Sequence, residues 1–132
     1  MLTKYSEVIA SDITKDTRRG HSFFQDKMAY TIGPVSLKEI INDPNITIVD
    51  VRKQEDYDRS HIPNAISIPS KELSNFMNKL SKDKTTIVYC YTQQCHLATG
   101  VAFKLTEKDY PTTELEGGFD AWKNIYEYEV VS

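Results

Sequence analysis

Residues 85–108 read TTIVYCYTQQCHLATGVAFKLTEK, a stretch in which the spacing of apolar residues changes from that of a strand to that of a helix. Thr85–Tyr89 is short, apolar and rich in β-branched residues, which predicts a buried strand. From His96 to Lys108 the apolar residues recur at helical spacing and predict a helix. They are Leu97, Val101 and Leu105, with Ala98 and Ala102 beside them. A strand, a short loop and a helix therefore follow one another here.

The rest of the chain repeats this alternation. Further strands are predicted at Ile46–Val51, Ala65–Ile68 and Thr112–Leu115. Helices are predicted at about 36–42, where Ser36 and Glu39 form a capping-box pattern, at Gln54–Arg59, from Ser70 to Leu80, and from Phe119 to Tyr126. Because helical segments separate the strands, the sequence predicts an α/β fold built of parallel βαβ units, with helices on both faces of the sheet.

The composition is that of one folded domain. The chain has 132 residues, 39% of them hydrophobic, with only 5 Gly and 5 Pro, which excludes collagen-like and mostly disordered proteins. We predict a lead-in segment at residues 1–29, which shows no clean helical stripe, and a single domain at residues 30–132.

Charge and hydropathy exclude two classes of partner. The 16 basic and 19 acidic residues give a net charge of −3, and no stretch concentrates Lys and Arg, so nucleic acid is not expected as a partner. The longest apolar run, Ile87–Tyr91, is far shorter than the ~20 residues that span a bilayer, and the N-terminus has no hydrophobic block resembling a secretory signal. We therefore expect no membrane association and place the protein in the cytoplasm, where its two cysteines would be free thiols.

Cys90 is the first candidate for chemistry. It ends a predicted parallel strand, and ligand sites in open parallel sheets lie at the carboxyl ends of the strands. The unpaired amides at the start of the following helix favour an anion, so we expect the pKa of the Cys90 thiol to fall. A cysteine so placed is a candidate nucleophile; the alternative is a buried structural cysteine.

Several motifs, in this order along the chain, resemble those of rhodanese domains. They are IVDVR at 48–52 with Glu55 and Tyr57, HIPNA at 61–65 with Ile68-Pro69, IVYC at 87–90, and LEGGFDAW at 115–122. The resemblance covers about residues 30–128, and ordered motifs at fitting spacing are more specific than any one alone. It implies a rhodanese-like, five-stranded parallel sheet flanked by helices, a catalytic cysteine at Cys90, and transfer of a sulfane sulfur through a cysteine persulfide.

The expected mechanism needs no metal and no organic cofactor. The Cys90 thiolate would attack a small-molecule sulfur donor, either thiosulfate or a thiol persulfide, and pass the sulfur to a thiol acceptor, which could also be a protein. Backbone amides of the following loop would stabilise the sulfur anion. The residues of this anion-binding loop are Tyr91, Thr92, Gln93, Gln94, Cys95 and His96.

The loop departs from the common rhodanese pattern at two places. Gln93 stands where a glycine is usual, and a positive φ there would strain a glutamine. The loop also has no Arg or Lys, which weakens attraction for the thiosulfate dianion and favours a thiol-borne persulfide as donor. The related phosphatases place an arginine where this chain has His96, so phosphate-ester hydrolysis is not expected.

Cys95 and His96 leave alternatives open. Cys95 lies five residues after Cys90 and is either a resolving thiol in a thiol-disulfide redox protein or a small residue that packs the end of the loop. His96 either tunes Cys90 or is a polar surface residue. A zinc site built from Cys90, Cys95, His96 and either His21 or His61 lacks the paired Cys-x-x-Cys spacing of structural sites. A non-catalytic regulatory or protein-binding module is a third class, with Phe23, Phe24 and Met28 packing on the domain or docking a partner.

The other motif residues are expected to be structural. We predict that Asp50 accepts hydrogen bonds at its strand end and that Arg52 pairs with a carboxylate such as Glu55. His61 is expected to form a turn before the second strand, Gly117-Gly118 a tight turn, and Trp122 part of the core.

Overall fold

The computed structural model describes residues 12–132. The chain divides into two units, with the boundary after Tyr30. In the first unit a 3-10 turn, Asp12–Lys15, precedes helix α1, Thr17–Tyr30. Residues 1–11 of the predicted lead-in lie outside the described residues.

Helix α1 was not predicted, because its apolar residues form no continuous stripe and none of its residues is buried. The signal that could have found it is Asp16, whose Oδ1 accepts a hydrogen bond from the Arg19 amide at 3.0 Å. This is the usual N-cap geometry, in which a side-chain oxygen satisfies an unpaired amide of the first turn. The lead-in is therefore helical from Thr17 onward.

The second unit is built on a five-stranded sheet in which every pairing of neighbouring strands is parallel, as predicted. The strands are β1 Thr31–Ile32, β2 Ile46–Asp50, β3 Ile66–Ser67, β4 Thr85–Tyr89 and β5 Thr112–Leu115, in the order β1-β5-β4-β2-β3. Strand β4 is therefore central. Strand β1 is only two residues long, too short for a periodicity to reveal, and it was expected from the family resemblance alone.

The helices of this unit are α2 Pro34–Ile40, α3 Gln54–Arg59, α4 Leu73–Phe76, α5 Leu97–Glu107 and α6 Gly118–Asp120, which continues as a π-helical turn over Ala121–Ile125. Two predicted starts were wrong. Helix α2 begins at Pro34 after Gly33, so Ser36 lies inside it; proline suits the first helical position because its missing N–H would be unpaired there. The segment from Ser70 is split into 3-10 turns on either side of α4.

The core has two layers, one on each face of the sheet. On one face Val49 and Val88 pack with Leu73 of α4 and Leu105 of α5. On the other face Ile48, Ile87 and Tyr89 pack with Leu37 and Trp122. Adjacent strand residues therefore point to opposite faces, and both faces are covered by helices, as parallel sheets require. Trp122 is 2% exposed, which confirms its prediction as a core residue.

Within residues 12–132, no helix combines the length and the apolar character needed to cross a bilayer.

Candidate active site

Cys90 lies immediately after the central strand β4, at the carboxyl edge of the sheet, and is 2% exposed. Two amides of α6 bind the backbone of Cys90 and of the residue after it, Tyr91. The amide of Phe119 donates to the Cys90 carbonyl oxygen at 2.9 Å, and the amide of Asp120 donates to the Tyr91 carbonyl oxygen at 2.9 Å. The start of the loop is thus fixed by a segment from the far end of the chain.

Gly117 and Gly118 make this approach sterically feasible. Both have positive φ, +79° and +61°, which confirms the predicted tight turn. A Cβ on Gly118 would lie 2.8 Å from the Cys90 carbonyl oxygen and 3.0 Å from the Tyr91 carbonyl carbon. The glycine therefore does more than form a turn, because it lets one backbone segment pack directly against the loop that carries Cys90.

We expect Gly118→Ala to lower the free energy of unfolding by about 1–3 kcal/mol, because it adds strain at a positive φ and a clash with backbone atoms. The matched control is Gly100→Ala, in helix α5, where an added Cβ meets nothing within 4 Å. Alanine is the better helix former, so this control should be neutral or stabilising by up to about 1 kcal/mol. Denaturant unfolding measures both variants, and equal effects would contradict the packing role of Gly118.

The loop is also anchored through its side chains. The Tyr91 hydroxyl donates a short hydrogen bond to the Asp56 carboxylate of α3, and the Lys53 amide donates to the Tyr91 hydroxyl oxygen at 3.3 Å. Gln93 Oε1 accepts a short hydrogen bond from the Gly117 amide. These contacts connect the loop to helix α3 and the residue before it, and to the turn that precedes α6.

Gln93 carries no backbone strain. The non-glycine residues with positive φ in the described chain are Asn64, Asp109 and Glu127. The loop therefore does not need a glycine at this place, and the glutamine side chain gives it a contact that glycine could not make. Thr92, Gln94 and His96 are exposed, and His96 directly precedes the first residue of α5.

The pKa of the Cys90 thiol is raised to about 12, first by burial and then by the hydrogen bonding of Cys95. The amides of Ala98 and Tyr91 act in the opposite direction but do not outweigh the burial. The predicted fall of the pKa is therefore wrong for this structure, because removing the thiol from water disfavours its charged form. The Cys90 thiol instead donates to the Cys95 carbonyl oxygen, with 3.4 Å from Sγ to O.

The two amides that favour a Cys90 anion come from different segments. Tyr91 belongs to the predicted anion-binding loop. Ala98 lies in the first turn of α5, whose unpaired amides were expected to favour an anion, although Ala98 itself was not among the predicted site residues. Its signal in the sequence was the start of the helix itself, since the first four amides of a helix have no intrahelical partner.

Cys95 is half-buried, and its pKa is shifted the other way. Burial raises the pKa of Cys95, but hydrogen bonds from the Cys90 side chain and from the amides of Leu97 and Tyr91 outweigh it and lower the value. The structure therefore brings the two thiols into one hydrogen-bonded group, in which Cys95 loses its proton more readily than Cys90. Both are free thiols.

Arg52 pairs with a carboxylate, as predicted, but the carboxylate is Asp50 and not Glu55, which is exposed. Its Nη2 lies 2.7 Å from Asp50 Oδ2 and 2.6 Å from the Ser60 carbonyl oxygen. Its guanidinium also lies 3.9 Å from the centroid of the Phe119 ring. Arg52 is 4% exposed and Asp50 fully buried, so this ion pair is internal and links the end of β2 to the residue whose amide holds the Cys90 carbonyl.

His61 was predicted to form a turn, and the structure instead pairs its backbone with Val131 in an antiparallel bridge. Its ring stacks on Tyr57 with 3.7 Å between centroids, and its Nδ1 lies 2.8 Å from the Tyr57 carbonyl oxygen. In the part of the chain from residue 12 onward, no three His, Cys, Asp or Glu side chains are grouped so that they could hold a metal ion.

A cavity of about 720 Å³ opens beside the loop. Tyr91, the first residue of the loop, and Leu97, the first residue of α5, line it. Its charged lining residues are Lys53, Lys71, Glu55, Glu72 and Arg52, whose charge is paired with Asp50. A small molecule that fills this cavity would therefore meet both positive and negative side chains close to the segment that carries Cys90.

Residues 33–125 match the family model described as the Rhodanese-like domain, and the chain therefore belongs to that family. Among curated proteins, it is 35% identical over 86 residues to thiosulfate sulfurtransferase GlpE of Coxiella burnetii, covering 64% of this chain and 78% of the relative. It is 32% identical over 78 residues to the HTH-type transcriptional regulator Rv0324 of Mycobacterium tuberculosis, covering 59% of this chain and 34% of that protein. Among solved structures, the BH2092 protein of Bacillus halodurans superposes with a TM-score of 0.80 at 32% identity, covering 89% of this chain and 87% of that one.

Proposed function

We propose that the protein is a sulfurtransferase that carries a sulfane sulfur as a persulfide on Cys90 and passes it to a thiol acceptor. The observation that carries the proposal is the position of Cys90 at the end of the central strand, with the amides of Tyr91 and Ala98 directed at its sulfur. We take residues 30–132 as the catalytic domain; the structural division after Tyr30 and the family match from residue 33 support this boundary.

The first step requires the Cys90 thiolate, which attacks the outer sulfur of a donor. The sulfur–sulfur bond of the donor breaks, and the remainder leaves as an anion, sulfite from thiosulfate or a thiolate from a persulfide. The persulfide on Cys90 then has its outer sulfur removed by an acceptor thiol. Amides directed at the site favour the anionic sulfur in both steps, as they do for an oxyanion in acyl transfer.

The charges around the site bear on the choice of donor. The relative from Coxiella burnetii is named for thiosulfate, but the loop of this chain has no basic residue, and the lysines lining the adjacent cavity are accompanied by glutamates. A site of mixed charge offers a dianion little net attraction. We therefore propose a thiol-borne persulfide as the better donor. We also propose a cytoplasmic location, where the reducing environment would keep Cys90 and Cys95 as thiols.

The test is to treat the reduced protein with thiosulfate and, separately, with glutathione persulfide, and to measure its intact mass. We expect a gain of one sulfur, with uptake from glutathione persulfide at least about tenfold faster than from thiosulfate at equal concentration. Faster uptake from thiosulfate would contradict the argument from charge. A mass unchanged by either donor, with neither a gain of one sulfur nor the loss of two hydrogens that a Cys90–Cys95 disulfide gives, would overturn the proposed function. It would favour a regulatory or protein-binding module, the class to which the similarity with a transcriptional regulator points.

A further inference from the structure

We propose that Cys95 resolves the persulfide formed on Cys90, releasing hydrosulfide and leaving a disulfide between the two cysteines. The inference rests on the proposed function, since it needs Cys90 to carry the sulfur. It adds a second activity, in which the protein reduces the sulfane sulfur itself when no acceptor removes it.

The fold of the loop places Cys95 beside the Cys90 sulfur. The Cys95 amide donates to the Thr92 carbonyl oxygen at 3.2 Å, which closes a turn that brings the chain back. Cys90 Sγ then lies 3.4 Å from the Cys95 carbonyl oxygen, to which it donates a hydrogen bond. Cys95 also packs against the buried cluster that contains Cys90. Cys95 is therefore a neighbour of the Cys90 sulfur in the folded protein, although four residues separate the two cysteines in the sequence.

The two cysteines differ in the way that a resolving reaction requires. Cys90 is buried, whereas Cys95 is half-buried and flanked by amides that stabilise its anion. The thiolate is the attacking species in thiol-disulfide chemistry, and the hydrosulfide that leaves is a weakly basic anion. Because the Cys90 sulfur lies against the backbone of Cys95, the inner sulfur of the persulfide is the one held next to this residue, and we infer that the Cys95 thiolate attacks it rather than the outer sulfur.

The reaction balances without an added oxidant. The Cys95 thiolate forms a bond with Cys90 Sγ, the bond from Cys90 Sγ to the outer sulfur breaks, and hydrosulfide leaves with the bonding electrons. The sulfane sulfur is reduced to sulfide, and the two cysteines are oxidised to a disulfide. Two equivalents of a low-molecular-weight thiol then reduce the disulfide and restore both thiols.

The experiment compares the full-length protein with Cys95→Ser after loading both with glutathione persulfide and removing the excess donor. Intact mass and released sulfide are followed with time, in the absence of any acceptor. We expect the wild type to lose the added sulfur with one sulfide per protein and to end two hydrogens lighter than its reduced form. We expect Cys95→Ser to keep its added sulfur roughly tenfold longer or more, since an intramolecular thiol acts at high effective concentration.

Each outcome separates this inference from the function on which it rests. If neither protein gains sulfur, the proposed function fails. If both gain it and lose it at the same rate, the resolving role of Cys95 is overturned, and Cys95 is a packing residue only. If the wild type keeps the added sulfur but peptide mapping finds it on Cys95, attack occurs at the outer sulfur and the proposed disulfide step is wrong. Cys95→Ala provides a second variant in case serine perturbs the loop.

Discussion

Cys90→Ser should abolish sulfur uptake from either donor. Serine keeps the size of the side chain and its hydrogen bond to the Cys95 carbonyl oxygen, so the fold should persist, but a hydroxyl at this place cannot form a persulfide. Residues that supply the nucleophile typically account for losses of several orders of magnitude, and we expect turnover to fall by at least roughly a thousandfold.

This effect is measured in two ways: as turnover with a thiol acceptor, and as the intact mass after treatment with a sulfur donor. Cys95→Ser is the matched control, because it makes the same chemical change five residues away in the same loop. Sulfur should still be gained by this control and not by Cys90→Ser. Uptake by Cys90→Ser with the added mass mapped to Cys95 would show that the wrong cysteine had been assigned as the nucleophile.

Arg52→Ala should lower the free energy of unfolding by about 3–5 kcal/mol, the usual cost of removing one member of a buried ion pair. The change leaves Asp50, which is fully buried, without its charged partner. It also removes the donor to the Ser60 carbonyl oxygen and the cation that lies over the Phe119 ring. Arg52→Lys should recover little of the lost stability, because a single ammonium cannot reproduce the contacts of the guanidinium with both carboxylate oxygens.

Chemical denaturation of the variants measures this effect. Arg59→Ala is the matched control, since Arg59 pairs with Asp56 at the surface, where solvent screens the ion pair, and its loss should leave stability nearly unchanged. The double variant Asp50→Ala/Arg52→Ala should be less destabilised than the sum of the single variants, because it leaves no unpaired buried charge. An Arg52→Ala protein as stable as the Arg59→Ala control would contradict the structural role of the buried pair.

Short-range sequence patterns were sufficient to predict the bounds of several strands and of one helix of the domain. Strands β4 and β5 and helix α3 begin and end where the sequence predicts, and β2 ends one residue earlier. The strands carry a local signal, because short runs rich in β-branched residues favour a buried strand. Helix α3 was predicted only as a polar segment compatible with a helix, and none of its residues is buried. Helix starts were less reliable: Ser36 matches the capping pattern, yet Pro34 starts the helix.

The candidate site was predictable in outline and not in its electrostatics. The position of Cys90 at the end of a strand and before a helix follows from local sequence, and so does the direction of the amides in the first turn of that helix. The pKa of its thiol does not, because it depends on how deeply the residue is buried by segments distant in the chain. The same holds for the partner of Arg52, which is the buried Asp50 and not the exposed Glu55.

By itself, the sequence determined the alternation of strands and helices, the family, and which cysteine ends a strand; that this strand is the central one came from the structure. Only the tertiary structure decided that Gly118 packs on the Cys90 carbonyl, that Gln93 bonds to the Gly117 amide, and that the Cys90 thiol donates to the Cys95 carbonyl oxygen. The physical reason is the range of the interactions. Periodicity and turn chemistry act over a few residues and are written in local sequence, whereas burial and close approach exist only once distant segments have packed together.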